Sequence, residues 1–174
     1  MLDHDSPVVH LANALTLCNI IMGLGAIIAT AHGFYALAGL LIIIGAVFDR
    51  LDGYAARRFS LASEMGKQLD SLADVITFGI APSVTIFMLT FAETAVLGFV
   101  MTIIFVGCGV YRLARFNLLD YQNAFIGLPI TVAGFMLALL ALFQTQVSVH
   151  PYVMALGMLL LSYLMICKRE IKKV

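Results

Sequence analysis

The chain has 174 residues, of which 62% are hydrophobic and 11% charged, whereas a soluble domain usually carries about 25% charged residues. Together with a mean hydropathy of +1.03, this composition argues against a soluble fold and predicts an all-α, polytopic membrane protein with a single domain over residues 1–174. Ten basic and ten acidic residues give a net charge of zero, so the total charge indicates no particular partner.

The N-terminal segment and the reactive side chains exclude several classes of site. "MLDHDSPVVH" carries acidic residues where a signal peptide has a basic region, so we expect no cleavable signal. Cys18, Cys108 and Cys167 lie in apolar stretches without a pairing or metal-ligand spacing. The histidines are scattered over termini and loops, and we assign them no metal role: His4, His10, His32 and His150.

Apolar stretches long enough to form membrane helices follow one another along the chain. A span needs about 20 mostly apolar residues, and we predict six, at residues 11–31, 34–57, 67–90, 95–116, 128–144 and 149–167. The connections between them are short, so neighbouring helices should be antiparallel.

The basic residues predict the orientation of these six helices. Every Lys and Arg falls at the second connection, at the fourth connection or after the last stretch, and the other connections carry none. Because basic residues accumulate on the cytoplasmic side of membrane proteins, those three places are expected to be cytoplasmic. With six spans, both termini are then cytoplasmic as well.

Four aspartates stand at the cytoplasmic ends of the second and third stretches: Asp49, Asp52, Asp70 and Asp74. A carboxylate inside a membrane helix costs roughly 2.5–3.5 kcal/mol on insertion scales, so their presence needs a reason. Asp49 and Asp52 are three residues apart and Asp70 and Asp74 four apart, which places each pair on one helix face. Converging carboxylates repel unless they bind protons or cations, and hard cations such as Mg²⁺ or Mn²⁺ prefer oxygen ligands. Two such ions form an arrangement used in phosphoryl transfer.

The residues around the aspartates are consistent with a substrate site. Gly53 lies four residues after Asp49 and Gly66 four before Asp70, and glycine leaves room beside a carboxylate. Arg57 shares a face with Asp49 and can bind a phosphate through a forked hydrogen bond. Arg50 is expected on another face, with its charged end extending to the membrane surface. The alternative is a solvated helix end without function.

The pattern Asp49-x-x-Asp52-Gly53-x-x-Ala56-Arg57, followed after eight residues by Gly66-x-x-x-Asp70-x-x-x-Asp74, resembles the signature of the CDP-alcohol phosphotransferase family. The resemblance covers essentially the whole chain. It implies two divalent cations, with Asp49 and Asp70 shared by both, Asp52 completing the first site and Asp74 the second. It further implies that Asp74 is the general base. The CDP-lipid site would be formed by Gly53, Ala56, Arg57, Ser63 and Gly66, with Asn13 in "LANALTLCN" as a further nucleotide contact.

Other segments are similar to the phosphatidylserine synthase branch of this family: "GKQLDSLADVITFGIAPS", "YRLARFN", "FIGLP" and "LSYLMICK". This similarity implies transfer of a phosphatidyl group from CDP-diacylglycerol to L-serine, and a homodimer. One departure is Thr131, where the branch usually has proline. Arg112 and Arg115 are candidates for the serine carboxylate or the lipid phosphate, and Asn117 for the amino group. Their alternatives are positive-inside anchoring and a helix-end role.

Two pairs of residues predict a helix kink and a close contact between helices. Gly79 and Pro82 predict a kink in the third helix that opens a lateral path for the lipid chain. Gly107 and Gly109 are small enough to permit close packing between helices of two subunits.

Three other functions remain open from sequence. The same chemistry with another acceptor, such as glycerol 3-phosphate or inositol phosphate, or with an archaeal ether lipid as donor, is the nearest. A cation transporter also carries membrane carboxylates, although these belong near the membrane midplane. A scaffold protein would have no use for the motif.

Overall fold

The computed structural model describes residues 7–58, 64–118, 125–167 and 170–171, with side chains described for 14–54, 65–118 and 127–167. The helices are α1 (Pro7–Ala31), α2 (Tyr35–Arg58), α3 (Glu64–Asp74), α4 (Ala81–Thr90), α5 (Ala95–Leu118), α6 (Ile130–Gln144) and α7 (Pro151–Ile166). A π-helical segment, Val75–Ile80, joins α3 to α4 in one continuous rod. Two-residue strands, β1 (Phe125–Ile126) and β2 (Glu170–Ile171), pair antiparallel. The helical architecture confirms the predicted all-α class, with one helical rod at each predicted stretch.

Three of the six rods have the length and composition of membrane spans: Ala14–Ala31, Met65–Thr90 and Ala95–Leu118. α6 and α7 have 15 and 16 residues, about 22–24 Å of helix, which is shorter than a bilayer core of about 30 Å. α2 has 24 residues but carries Asp49, Arg50 and Asp52 in its second half. The outward faces expose large apolar side chains such as Leu156 (68%) and Val96 (79%), as expected of helices that contact lipid.

The α3–α4 rod is the centre of the bundle, in contact with α1, α2, α5 and α6. Small residues let its neighbours come close. A Cβ on Gly134 of α6 would meet the backbone of Phe78, and one on Gly109 of α5 would lie 3.1 Å from Ile130 Cγ1. Phe78 and Phe105 are fully buried here. Residues on this rod are therefore surrounded by protein on several sides.

The central rod changes its winding where a kink was predicted. From Val75 to Ile80 it is π-helical, and the Ala81 N–H donates to the Ile76 carbonyl, five residues back. π-Helical turns are rare and are frequent at functional sites. Gly79 lies inside this segment, and Pro82 is the second residue of the α-helix that follows.

The loop before α6 is attached to α7. Gly127 has a φ of +77°, a conformation that glycine adopts without steric cost, and its Cα faces the Met165 carbonyl. The Leu128 N–H then donates to the Leu164 carbonyl over 2.9 Å. This attachment places Pro129 and Thr131, at the start of α6, beside the ends of α2 and α5.

Candidate active site

Three carboxylates from two helices meet at one end of the bundle. One ligand oxygen from each of Asp49 on α2 and Asp70 and Asp74 on α3 lies within 4.8 Å of the others. Asp74 is buried, whereas Asp49 and Asp70 are half-buried. The Oδ1 atoms of Asp70 and Asp74 are buried and have no hydrogen-bond partner in the described part of the chain. Buried acceptors are normally paired, so this arrangement provides free oxygen ligands.

The fourth aspartate lies beside this group and is held separately. Asp52 is 5% exposed, and its Oδ2 accepts a hydrogen bond from Thr16 Oγ1 of α1 over 2.9 Å. Of the four aspartates predicted to converge, the structure brings three together and places the fourth on the wall of the same cavity.

A cavity of about 290 Å³ opens over these carboxylates. It contains both acidic and basic side chains, together with small and polar residues: Asp49, Arg50, Asp52, Gly53, Lys67, Asp70, Ser71, Asp74, Arg112, Leu113, Phe116, Asn117, Pro129 and Thr131. The side chains come from α2, α3, α5 and the start of α6, so the cavity exists only when these four elements pack together.

The basic side of the cavity contains a hydrogen-bonded network between α3 and α5. Ser71 Oγ donates to the Lys67 carbonyl (3.0 Å) and accepts from Asn117 Nδ2 (2.9 Å). Lys67 Nζ donates to the Asn117 carbonyl over 3.3 Å. Because the Ser71 hydroxyl donates its proton to the Lys67 carbonyl, its oxygen can only accept a hydrogen bond from Asn117. The Asn117 amide therefore turns its NH₂ group toward Ser71 and its Oδ1 away from Ser71.

Arg112 is the buried cation of this wall. It is 9% exposed, its guanidinium carbon lies 5.9 Å from the centroid of the Phe116 ring, and its Nε has no hydrogen-bond partner among the described residues. Arg115, one turn further on α5, is half-buried and does not line the cavity. Of the three predicted acceptor contacts, the structure therefore brings Arg112 and Asn117 to the carboxylates.

A second, apolar cavity of about 540 Å³ lies between α2 and α6. It shares Asp49, Arg50 and Thr131 with the first cavity and is otherwise lined mainly by Ile43, Ala46, Val47, Leu51, Val132 and Phe135. Arg50, expected on another helix face with its charged end at the membrane surface, is exposed. It lies where the two cavities meet, because α6 packs beside the α2 face that carries it.

Several predicted nucleotide contacts fall outside the described side chains. Gly53 lines the cavity and Gly66 is half-buried in α3. Ala56 and Arg57 belong to α2, and Asn13 to α1, but only their helical backbone is described. Ser63 lies outside the described residues.

Four residues that line the cavity or hydrogen-bond to its aspartates were not predicted as site residues: Thr16, Lys67, Ser71 and Thr131. Thr16 is a buried polar side chain in a mostly apolar helix, and such residues face a bundle interior or a cavity, so this signal was present in the sequence. Ser71 lies one residue after a predicted metal ligand, and no spacing rule singles it out. The involvement of Thr131 follows only from how α6 packs.

An apolar helical bundle that exposes large apolar side chains on its outward faces is typical of a membrane-embedded protein, and comparison with known proteins identifies the family. The CDP-alcohol phosphatidyltransferase model matches residues 9–164. The chain belongs to this family, which confirms the resemblance predicted from the aspartate motif.

Curated relatives narrow the similarity to the serine branch. A CDP-diacylglycerol–serine O-phosphatidyltransferase of Bacillus subtilis is 36% identical over 155 residues, covering 88% of this chain and 85% of the relative. A protein of the same name from Methanocaldococcus jannaschii is 38% identical over 130 residues, covering 75% of this chain and 59% of the relative. An archaetidylserine synthase of Methanothermobacter thermautotrophicus is 31% identical over 159 residues, covering 88% and 68%.

Proposed function

We propose that this chain transfers a phosphatidyl group from CDP-diacylglycerol to the hydroxyl of L-serine, forming phosphatidylserine and releasing CMP. The observation that supports this most directly is the meeting of Asp49, Asp70 and Asp74 within 4.8 Å on a mixed-charge cavity, in a chain of the CDP-alcohol phosphatidyltransferase family. Relatives named for the serine reaction cover most of the chain.

The carboxylates fit divalent cations. Three acidic oxygens close together repel one another, buried Oδ1 atoms of Asp70 and Asp74 are free to act as ligands, and an all-oxygen donor set suits Mg²⁺ or Mn²⁺. We assign Asp49 and Asp70 to both ions, Asp52 to the first and Asp74 to the second. Such ions, when bound, neutralise phosphate charge and stabilise the attacking and leaving oxygens.

The donor lipid would place its nucleotide and pyrophosphate over the carboxylates. Gly53 borders the cavity, and a glycine allows a phosphate to approach the α2 backbone. Ala56, Arg57, Ser63, Gly66 and Asn13 are proposed to complete the CDP-lipid contacts. The apolar cavity that adjoins the site near Arg50 and Thr131 is in a suitable place for part of the lipid.

Asp74 is the proposed general base. It is buried at 7% exposure and meets the other two carboxylates, where a serine hydroxyl would bind. Asp74 accepts the hydroxyl proton as the serine oxygen forms a bond to the lipid-side phosphorus. The bond from that phosphorus to the bridging oxygen breaks, and CMP leaves with the electron pair. Positioning and electrostatic stabilisation then account for most of the rate.

The wall opposite the aspartates is the proposed acceptor end. Arg112, a buried cation with an unused Nε donor, suits the serine carboxylate. Asn117, oriented by Ser71, offers its Oδ1 to the serine ammonium. Arg115 lies off this wall and would contribute by adding positive charge next to Arg112.

We place the protein in the cell membrane with six spans, and with both termini and the active site facing the cytoplasm. The grouping of basic residues at the second and fourth connections and after the last helix supports this orientation. We also propose a homodimer. Gly107 has no side chain or backbone within reach of an added Cβ and is free for contact with a second subunit, whereas Gly109 packs inside the chain against Ile130.

A second donor is supported by one comparison. The archaetidylserine synthase relative covers 88% of this chain, so an archaeal ether lipid in place of diacylglycerol is the alternative donor. Glycerol 3-phosphate and inositol phosphate are the alternative acceptors. A cation transporter is disfavoured by the family membership.

The test is CMP release by the purified protein with CDP-diacylglycerol and Mn²⁺ or Mg²⁺, with each acceptor offered separately and EDTA as the control. We expect release with L-serine and its loss with EDTA. Release only with glycerol 3-phosphate or inositol phosphate would refute the serine assignment while retaining the metal chemistry. A parallel reaction with a CDP-linked ether lipid distinguishes the two donors.

A further inference from the structure

Helix α1 contributes no residue to the aspartate motif, yet it forms hydrogen bonds with one aspartate of the motif and with a residue that follows its second half. Thr16 Oγ1 donates to Asp52 Oδ2 on α2 over 2.9 Å. One turn further along α1, the Asn19 carbonyl accepts a 3.0 Å hydrogen bond from Thr77 Oγ1. Thr77 lies three residues after Asp74, in the π-helical segment. α1 therefore contacts both helices that carry the carboxylates, within one turn of its own length.

The approach of α1 at this level is close and leaves little freedom. A Cβ on Gly23 of α1 would lie 2.9 Å from Thr77 Cα, and a Cβ on Gly45 of α2 would lie 2.7 Å from Thr77 Cγ2. Asn19 and Thr77 are both 0% exposed. Glycine on both sides lets Thr77 fit between α1 and α2. This close packing fixes the positions of α1, α2 and the π-helical segment relative to one another, next to the carboxylates.

The Thr16 hydroxyl acts on the orientation of Asp52. An aspartate carboxylate rotates about one soft torsion, and a hydrogen bond to one oxygen restricts that rotation and directs the other oxygen. In proteins, partners that hydrogen-bond a metal ligand in this way set its geometry, and losing one typically costs about 10- to 100-fold in metal affinity or activity.

We propose that Thr16 is a positioning residue of the active site, which orients Asp52 toward the proposed first cation, and that the Asn19–Thr77 hydrogen bond holds the segment after Asp74 in the matching register. This inference rests on the proposed metal site. It adds a role for α1, with Thr16 acting through Asp52.

Thr30 provides a matched control on the same helix. Its hydroxyl forms a 2.8 Å hydrogen bond with Thr85 of α4, it is 2% exposed, and it lies 14 residues from Thr16, about 21 Å along the helix. Thr30→Val removes a buried hydroxyl contact between helices, as Thr16→Val does, but far from the carboxylates. Thr16→Ser keeps the hydroxyl and is the conservative variant.

The experiment measures Mn²⁺ binding to the purified, detergent-solubilised full chain by electron paramagnetic resonance, without substrate, next to its thermal unfolding and its CMP release. For Thr16→Val we expect a Kd for Mn²⁺ raised by about 10-fold or more. Thr16→Ser should bind close to the unmodified chain. Thr30→Val should lose thermal stability without a change in Mn²⁺ affinity.

Two outcomes would overturn the proposal in different ways. If Thr16→Val binds Mn²⁺ as the unmodified chain does, or if Thr30→Val weakens binding equally, Thr16 has only a structural role. If the unmodified chain itself binds no Mn²⁺, or if Asp49→Asn binds it equally well, the proposed metal site fails and the role of Thr16 fails with it.

Discussion

Asp74→Asn separates the two effects that a buried carboxylate has in this site, one on catalysis and one on stability. The substitution keeps the shape of a side chain that is 7% exposed and removes its negative charge and its ability to accept the serine proton. Loss of a general base costs about 10²–10⁴-fold in rate. We therefore expect serine-dependent CMP release to fall by that factor, while CDP binding largely remains because the proposed nucleotide contacts are other residues, such as Gly53 on the cavity wall.

The same change should stabilise the metal-free protein. Two unit charges at most 4.8 Å apart repel by about 3.5 kcal/mol or more at an effective dielectric constant of ~20. Asp74 has two such neighbours, Asp49 and Asp70, and the open cavity screens part of the repulsion. We therefore expect the free energy of unfolding of the variant to rise by about 1–3 kcal/mol. For a chain of this size, each kcal/mol raises Tm by about 2–4 °C.

The assay is thermal unfolding in detergent with EDTA and with excess Mn²⁺, next to CMP release at saturating L-serine. Asp74→Asn should unfold at a higher temperature than the unmodified chain in EDTA, and gain less from Mn²⁺. Glu93→Gln removes one charge at the exposed α4–α5 connection and should change neither measurement. Unchanged turnover would refute Asp74 as the base. A lower Tm in EDTA would refute the repulsion argument.

The remaining predictions concern binding, acceptor selectivity and packing. Asp49→Asn should weaken Mn²⁺ binding and activity together, measured by metal titration of CMP release, and unchanged titration would contradict its assignment to both cations. Ser71→Ala frees the amide of Asn117, so we expect a higher KM for L-serine with little change in the KM for CDP-diacylglycerol, and recovery in Ser71→Thr. A KM change in the lipid alone would refute the placement of the acceptor. Gly134→Ala forces a Cβ onto the backbone of the central rod and should cost about 1–3 kcal/mol in thermal unfolding. Gly157→Ala, whose Cβ meets nothing within 4 Å, is its control, and equal stability of the two variants would contradict the packing argument.

In the central rod, the sequence predicted where the helix is irregular but not the kind of irregularity. Gly79 and Pro82 marked the place where its winding changes, but they predicted a kink, and the structure has a π-helical segment there. Thr77 of this segment donates a hydrogen bond to the Asn19 carbonyl of α1 and lies against Gly23 and Gly45. The amino acids of the segment alone contain no information about that contact.

The sequence by itself determined the class of protein, the helical rods and the faces on which the aspartates lie. Each follows from a local quantity: apolar content over about 20 residues, or a spacing of three or four residues on a helix of 3.6 residues per turn. The aspartate motif also led to the family, which the comparison confirms.

Only the tertiary structure decided which side chains from different helices share the cavity. It brought three carboxylates together, placed Asp52, which is hydrogen-bonded to Thr16, on the wall of the same cavity, brought Arg50 to that wall and left Arg115 off it. These outcomes depend on how closely helices distant in sequence approach one another. That distance is set by small residues facing large ones across the bundle, such as Gly134 against Phe78, and no periodicity within a single helix encodes it.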